Sequence, residues 1–178
     1  MKKKRKFSEG LLDEKKIKDE LKIATGQTIL DAGCGNGYMA KKFSPLVGKT
    51  GRIFALDSDK GFINILKEEV EGTNITALIG DITKSTIFQD RSVDMIYLSN
   101  VFHIFSKTQV EYFSKEANRI LKPEGVLAIV NIKKIETVFG PPLEMRYSPE
   151  ELIKNVKLHP SKLVDVGKYF YMQLFNKS

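Results

Sequence analysis

The chain has one cysteine, no tryptophan, two histidines and six prolines in 178 residues. A single thiol excludes an intramolecular disulfide framework and any site built from several thiolates. His103 and His159 add too few ligands for a structural zinc centre. No stretch approaches the roughly 18 consecutive apolar residues of a membrane-spanning helix. The basic start also lacks the unbroken apolar run of a secretory signal. Net charge is scarce too, once its position is considered. The formal charge is +7, but Lys2-Lys3-Lys4-Arg5-Lys6 holds five of the 29 basic residues. Residues 7–178 carry 24 basic residues against 22 acids, a net of +2. The leader reads as a solvated terminus, with electrostatic contact to nucleic acid as the alternative. The expectation is one cytoplasmic domain with no membrane partner, large enough to bury its own core.

Short apolar runs alternate with amphipathic stretches, the pattern of a mostly parallel sheet covered on both faces. Strands are expected at 28–32, 52–57, 75–79, 93–98 and 126–132. A first helix is expected over 8–24, with Leu12, Ile17, Leu21 and Ala24 inward, and a second over 37–44. A third, over 59–71, places Phe62, Leu66 and Val70 on one stripe. Ser106 and Gln109 make a capping-box pattern ahead of a helix carrying Val110, Phe113, Ala117 and Ile120. Lys122-Pro123-Glu124-Gly125 ends that helix and turns into the fifth strand. Residues 133–147 read as a loop, and Ser148, Pro149 and Glu151 open a short helix. Residues 161–175 read as an antiparallel hairpin hinged near Gly167.

The most informative stretch is Ile29-Leu30-Asp31-Ala32-Gly33-Cys34-Gly35-Asn36-Gly37. An apolar strand ends in an acid and runs through three glycines into a helix. Glycine serves where a chain turns sharply and where a ligand lies against bare backbone. The helix after the loop points unpaired N–H groups at the turn, and such loops are where open α/β sheets bind nucleotide-like ligands. Residues 35–40 also satisfy the spacing of a dinucleotide motif, which keeps an NAD(P)-dependent oxidoreductase open. Two features disfavour it. That motif would begin after the chain has already turned at Gly33, and the Asp31 carboxylate would repel a pyrophosphate. A ligand with a cationic end suits Asp31 better. Asp57, at the end of the second strand, suits two ribose hydroxyls in either case.

ILDAGCGNGYMA, then IFALDSD and IGDIT, resembles the first three motifs of the class I S-adenosylmethionine-dependent methyltransferases. The resemblance runs through residues 25–132, where LKPEGVLAIV is similar to the family's passage from helix to fifth strand. FGPPLEMRYSPEEL resembles the cover segment of the small-molecule branch, which includes quinone-biosynthesis-like enzymes. The resemblance implies an α/β, Rossmann-like, doubly wound sheet of seven mixed strands, with an antiparallel C-terminal strand and helices on both faces. It implies one methyltransferase domain over 1–178, with 7–24 and 133–155 covering the substrate. It implies S-adenosyl-L-methionine as cofactor, passed by Gly33, Gly35 and Gly37 and fixed at its amino-acid end by Asp31. Asp57, beside Ser58, would hold the ribose, while Asp81 and the Ile82 N–H would read the adenine. Turn capping is the alternative role for Asp81.

Methyl transfer from a sulfonium needs alignment of the nucleophile and, where that nucleophile is protonated, a base. Ser99-Asn100-Val101-Phe102-His103 comes after the fourth strand and lacks the Pro-Pro-aromatic signature of enzymes that methylate base or glutamine amides. Asn100 is expected to contact the cofactor or orient a substrate. His103 is the histidine placed to act as a base, with core packing as its plainer reading. Cys34 is expected to be inert packing, and a lone thiol is too few for arsenite methylation. Tyr97 reads as core, and Tyr147 as a wall of the substrate pocket. The acceptor is expected to be a small molecule, with RNA, or a non-catalytic cofactor-binding subunit, as alternatives.

Overall fold

The computed structural model describes residues 8–177, so the basic leader at 2–6 lies outside the described residues. The elements in order are α1 (Glu14–Leu21), β1 (Thr28–Ala32), α2 (Tyr38–Val47), β2 (Arg52–Asp57), α3 (Lys60–Glu69), β3 (Ile75–Ile79) and β4 (Val93–Ser99). Then come α4 (Lys107–Ile120), β5 (Leu121–Ile132), α5 (Pro149–Asn155), β6 (His159–Asp165) and β7 (Phe170–Asn176). Single 3-10 turns occupy Phe102–Ile104 and Leu143–Met145.

Successive strand residues point to opposite faces, and in β1 both faces are apolar. Ile29 packs with Ile17 of α1, Phe43 of α2 and Ile63 of α3. Leu30 packs with Phe113 and Ile120 of α4 and Leu152 of α5. Helices therefore cover both sides of one seven-stranded sheet, ordered β3-β2-β1-β4-β5-β7-β6. β1 to β5 pair in parallel, and β7 runs antiparallel between β5 and β6. This is the doubly wound mixed sheet that the resemblance implies. The chain moves outward from β1 to β3 and then returns to β4 on the other flank of β1. That reversal opens a crevice at the carboxyl ends of β1 and β4.

Several local expectations are corrected. α1 starts at Glu14 rather than at residue 8, because the Asp13 side chain caps it through the Lys16 N–H. Its end comes at Lys22, in a left-handed conformation, so Ala24 lies beyond the helix and is exposed. α2 continues to Val47 with Pro45 inside it, giving up one backbone donor rather than stopping. On α3 the buried residues are Ile63 and Leu66, and Phe62 turns toward the crevice. β5 begins at Leu121, because the register step from Val93 to Met95 faces Leu121 and Val126. Lys122–Gly125 forms an outward excursion there, with Glu124 at φ 61°.

No helix joins β3 to β4 in residues 80–92. Ile82 and Phe88 are buried instead, with Phe88 edge-on to Phe54 at 5.0 Å. Side chains of α4 hold the link. Arg119 donates to Glu116, Asp90 and the Phe88 carbonyl, while Glu116 accepts from the Thr86 N–H and hydroxyl.

Candidate cofactor cleft

The crevice is a cavity of about 360 Å³, within the range of small-ligand sites. Four strand ends contribute to it. β1 runs into Gly33 and Gly35, β2 into Asp57 and Ser58, β3 into Gly80, Asp81 and Ile82, and β4 into Asn100 and Val101. Phe62, Ile104, Phe105 and Gln109 complete the walls.

The glycine loop is tied to β2. Gly33 and Cys34 both donate their N–H to the Leu56 carbonyl, at 2.7 and 3.0 Å. Gly33 has φ +68°, and a Cβ there would stand 2.5 Å from Val101 Cγ2. Only a bare backbone lets Val101 approach so closely. Asp57 closes the loop from the other side. Its Oδ2 accepts from the Gly35 N–H at 2.7 Å and its Oδ1 from the Asp59 N–H at 2.9 Å. The two bonds fix the carboxylate at the cleft wall, and its remaining lone pairs are free for ligand hydroxyls.

Asp81 serves two neighbours. Its Oδ1 accepts from the Thr83 N–H and hydroxyl, at 2.9 and 2.7 Å, and its Oδ2 lies 3.7 Å from Lys84 Nζ. Turn capping is thus present, and Asp81 borders the cleft as well. Asn100 sits at φ 55°, a left-handed conformation that Asn tolerates. Its N–H extends the sheet through the Val130 carbonyl, at 2.8 Å. Its side-chain Oδ1 is buried with no hydrogen-bond partner among the described residues. An orphaned acceptor at a cleft wall calls for a donor from a ligand.

Three predicted residues stand apart from the cleft. Asp31 is buried beneath the loop, where its Oδ2 accepts from the Ala40 N–H of α2 at 3.1 Å. With Ser8, Glu9 and Ser99 it borders a second cavity of about 20 Å³, room for one water. Gly37 is the N-cap of α2 at φ +71°, where a Cβ would stand 2.5 Å from Leu66 Cδ1. Its bare backbone therefore lets α2 pack on α3 rather than bordering the cleft. His103 is the middle residue of its 3-10 turn and does not border the cavity, which Val101 before it and Ile104 and Phe105 after it line instead. Burial first, and then the Arg146 charge, hold the His103 imidazole below its ordinary 6.5.

Cys34 is buried, and its thiol donates to the Gly35 carbonyl at 3.6 Å. Tyr97 is fully buried, edge-on to Phe43 at 5.0 Å. Tyr147 packs edge-on against Phe102, also at 5.0 Å, and does not border the cofactor cleft itself. The readings from sequence pass over Phe62, Val101, Ile104 and Phe105 as cleft residues. Their apolar character at helical spacing looks the same whether they face a core or a ligand.

The donor set suits S-adenosyl-L-methionine. Bare backbone at Gly33, Gly35 and Gly80, acids at two strand ends, apolar walls for a ring and one orphaned acceptor converge on one cavity. Comparison with known proteins agrees. A family model for a methyltransferase domain matches residues 29–125, over half of the chain. The UbiE ubiquinone/menaquinone biosynthesis C-methyltransferase of Klebsiella pneumoniae is 30% identical over 115 residues, 63% of this chain and 45% of that protein. The chain thus spans about half the length of the curated relatives it matches. A SAM-dependent methyltransferase structure from Aquifex aeolicus superposes with a TM-score of 0.85 at 31% identity, covering 94% of this chain and 91% of that one. A putative type 11 methyltransferase of Sulfolobus solfataricus shares the fold, with a TM-score of 0.80 at 23% identity over 95% of each chain. The chain therefore belongs to the class I methyltransferases, the family whose cofactor is S-adenosyl-L-methionine.

Proposed function

We propose that this chain transfers the methyl group of S-adenosyl-L-methionine to a small-molecule acceptor. The observation that carries the reading is the convergence of Gly33, Gly35, Asp57, Asp81 and Asn100, from four strand ends, on one cavity. In this reading Asp57 accepts from two ribose hydroxyls, with Ser58 beside it, and Asp81 and the Ile82 N–H read the adenine. Asn100 Oδ1 accepts from the cofactor or orients the acceptor. Asp31 supports the loop from below, and the small cavity beside it has room for a water toward the amino-acid end. When bound, the cofactor supplies the reactive methyl group on its sulfonium.

The rest is done by the chain. Phe62, Ile82, Ile104 and Phe105 exclude water from the cleft walls, and the rigid strand ends fix the bound geometry. His103 does not border the cleft, so in this reading it takes the proton of an attacking atom through a water rather than by direct contact. Held below 6.5, it is neutral at neutral pH, which is the form able to accept a proton. A small-molecule acceptor is supported by the similarity to quinone-biosynthesis C-methyltransferases. No inserted domain breaks residues 8–177.

Isothermal titration with S-adenosylhomocysteine tests the cofactor half, with binding expected at about 1–100 μM. Silence with that probe, together with heat from NAD, would overturn it. Methylation of low-molecular-weight acceptors with radiolabelled cofactor tests the other half. Label that enters only RNA would overturn the small-molecule assignment.

A further inference from the structure

Residues 133–146 leave the end of β5 and pass over the carboxyl edge of the sheet before α5 begins. They contain one 3-10 turn and no longer element of their own. Val138 stands fully exposed on them, and Phe139 beside it is the residue that packs against the core. One side chain ties the rest of the segment together. Arg146 is only 5% exposed, and all five of its N–H groups are used. Nε donates to the Pro141 carbonyl at 2.8 Å. Nη1 donates to the carbonyls of Lys133 and Ile135, at 3.3 and 2.7 Å. Nη2 donates to Thr137 Oγ1 and the Phe139 carbonyl, at 2.8 and 3.0 Å.

A guanidinium has five donors in a rigid planar fork, so this segment is folded around a complete set. None of these five acceptors is a carboxylate. Carbonyl and hydroxyl dipoles alone offset a buried positive charge. A path of 133–141 that withdraws these acceptors leaves that charge buried without partners. The segment is thereby held in one arrangement. Its two ends are pinned separately, by the Lys133 N–H on the Tyr169 carbonyl at 2.7 Å and the Tyr171 hydroxyl on the Tyr147 carbonyl at 2.8 Å. Phe139 stacks edge-on with Tyr169 at 5.1 Å. Tyr147, the next residue, packs edge-on against Phe102 at 5.0 Å, which places this latch beside the Phe102–Ile104 turn that leaves the cofactor cleft.

We propose that Arg146 is a positioning residue, latching residues 133–146 into a fixed strap beside His103 that forms the acceptor-side wall before any acceptor arrives. The proposal rests on the methyltransferase reading for what the strap faces. The latch itself stands on hydrogen bonds alone.

Arg146→Lys and Arg146→Met test it together. Lysine keeps the charge but has three donors on a single nitrogen; methionine removes both charge and donors. Amide hydrogen exchange over 133–145 is expected to speed up at least tenfold in both variants, with β1 and β4 unchanged. The two histidines give separable NMR titrations. The His103 midpoint is expected to rise in Arg146→Met and to stay low in Arg146→Lys, a split that loosened packing would not produce. The affinity for S-adenosylhomocysteine is expected to change less than about threefold. With an identified acceptor, its KM is expected to rise more than kcat falls. If Arg146→Met does not fold, Thr137→Val removes one acceptor and is expected to raise exchange in the same segment alone. Unchanged exchange over 133–145, or equal His103 midpoints in the two arginine variants, would overturn the latch. A wild type that fails to bind S-adenosylhomocysteine would instead overturn the methyltransferase reading and leave the exchange result standing.

Discussion

Asp57 does two jobs with one carboxylate. It holds the glycine loop through the Gly35 N–H and the start of α3 through the Asp59 N–H, while facing the cleft. Hydrogen bonds to a charged acceptor contribute about 1.5–3 kcal/mol each. Losing two of them to a ribose lowers affinity at least about 100-fold. Asp57→Ala is therefore expected to weaken S-adenosylhomocysteine binding by that factor, measured by calorimetry, while circular dichroism shows the fold retained. Affinity within a few-fold of wild type would refute the ribose role. His103 has a different test. His103→Ala is expected to lower kcat about 100-fold or more on an acceptor whose attacking atom carries a proton. A full rate on such an acceptor removes the residue from the chemistry.

At the scale of elements, the glycines separate into two kinds. Gly33 and Gly35 border the cleft, whereas Gly37 lets α2 pack on α3. Alanine at 37 meets the left-handed backbone, at about 1–2 kcal/mol, and the side chain of Leu66, which is fully buried and has little room to yield. Gly37→Ala is expected to cost about 2–3 kcal/mol in urea unfolding. In a Leu66→Ala background the same change is expected to cost only the backbone share. Equal costs in the two backgrounds would show that helix contact is not what requires glycine here. Sequence spacing alone merges the two kinds, because every glycine of the loop looks like a ligand contact. What spacing did carry were the strands and caps. Mostly apolar runs such as ILDA and VDMIYL, each holding a single Asp, read as strands of a sheet buried on both sides. Ser106–Gln109 and Ser148–Glu151 form the reciprocal bonds their pattern implies. Arg146 was not legible, since an arginine in a Gly-Pro loop reads as a solvated surface charge until its five acceptors are seen around it.

Half-buried His103 and buried Glu116 are two of the groups through which acid acts on the whole molecule. His103 lies below its ordinary 6.5, so the unfolded chain takes up that proton more readily than the folded one. Stability is therefore full above about pH 6.5 and is lost as pH falls from there through the lower folded-state value. For Glu116, burial pushes the carboxyl up, but the bonds from Arg119 and Thr86 outweigh it and leave the group below its usual 4.5. Its contribution is present above 4.5 and disappears as pH falls through the folded-state value. Acid should thus remove stability in two stages, the first from the turn beside the cleft and the second from the β3–β4 link that Glu116 and Arg119 hold. Urea midpoints measured from about pH 8 down to about pH 3.5 distinguish the stages. His103→Gln is expected to flatten the curve between neutrality and the carboxylate range while leaving the lower step. Glu116→Gln is expected to lower the plateau and flatten the lower step. A wild-type curve that is level down to about pH 5, or a lower step that survives Glu116→Gln, would refute the assignment of those stages to these two groups.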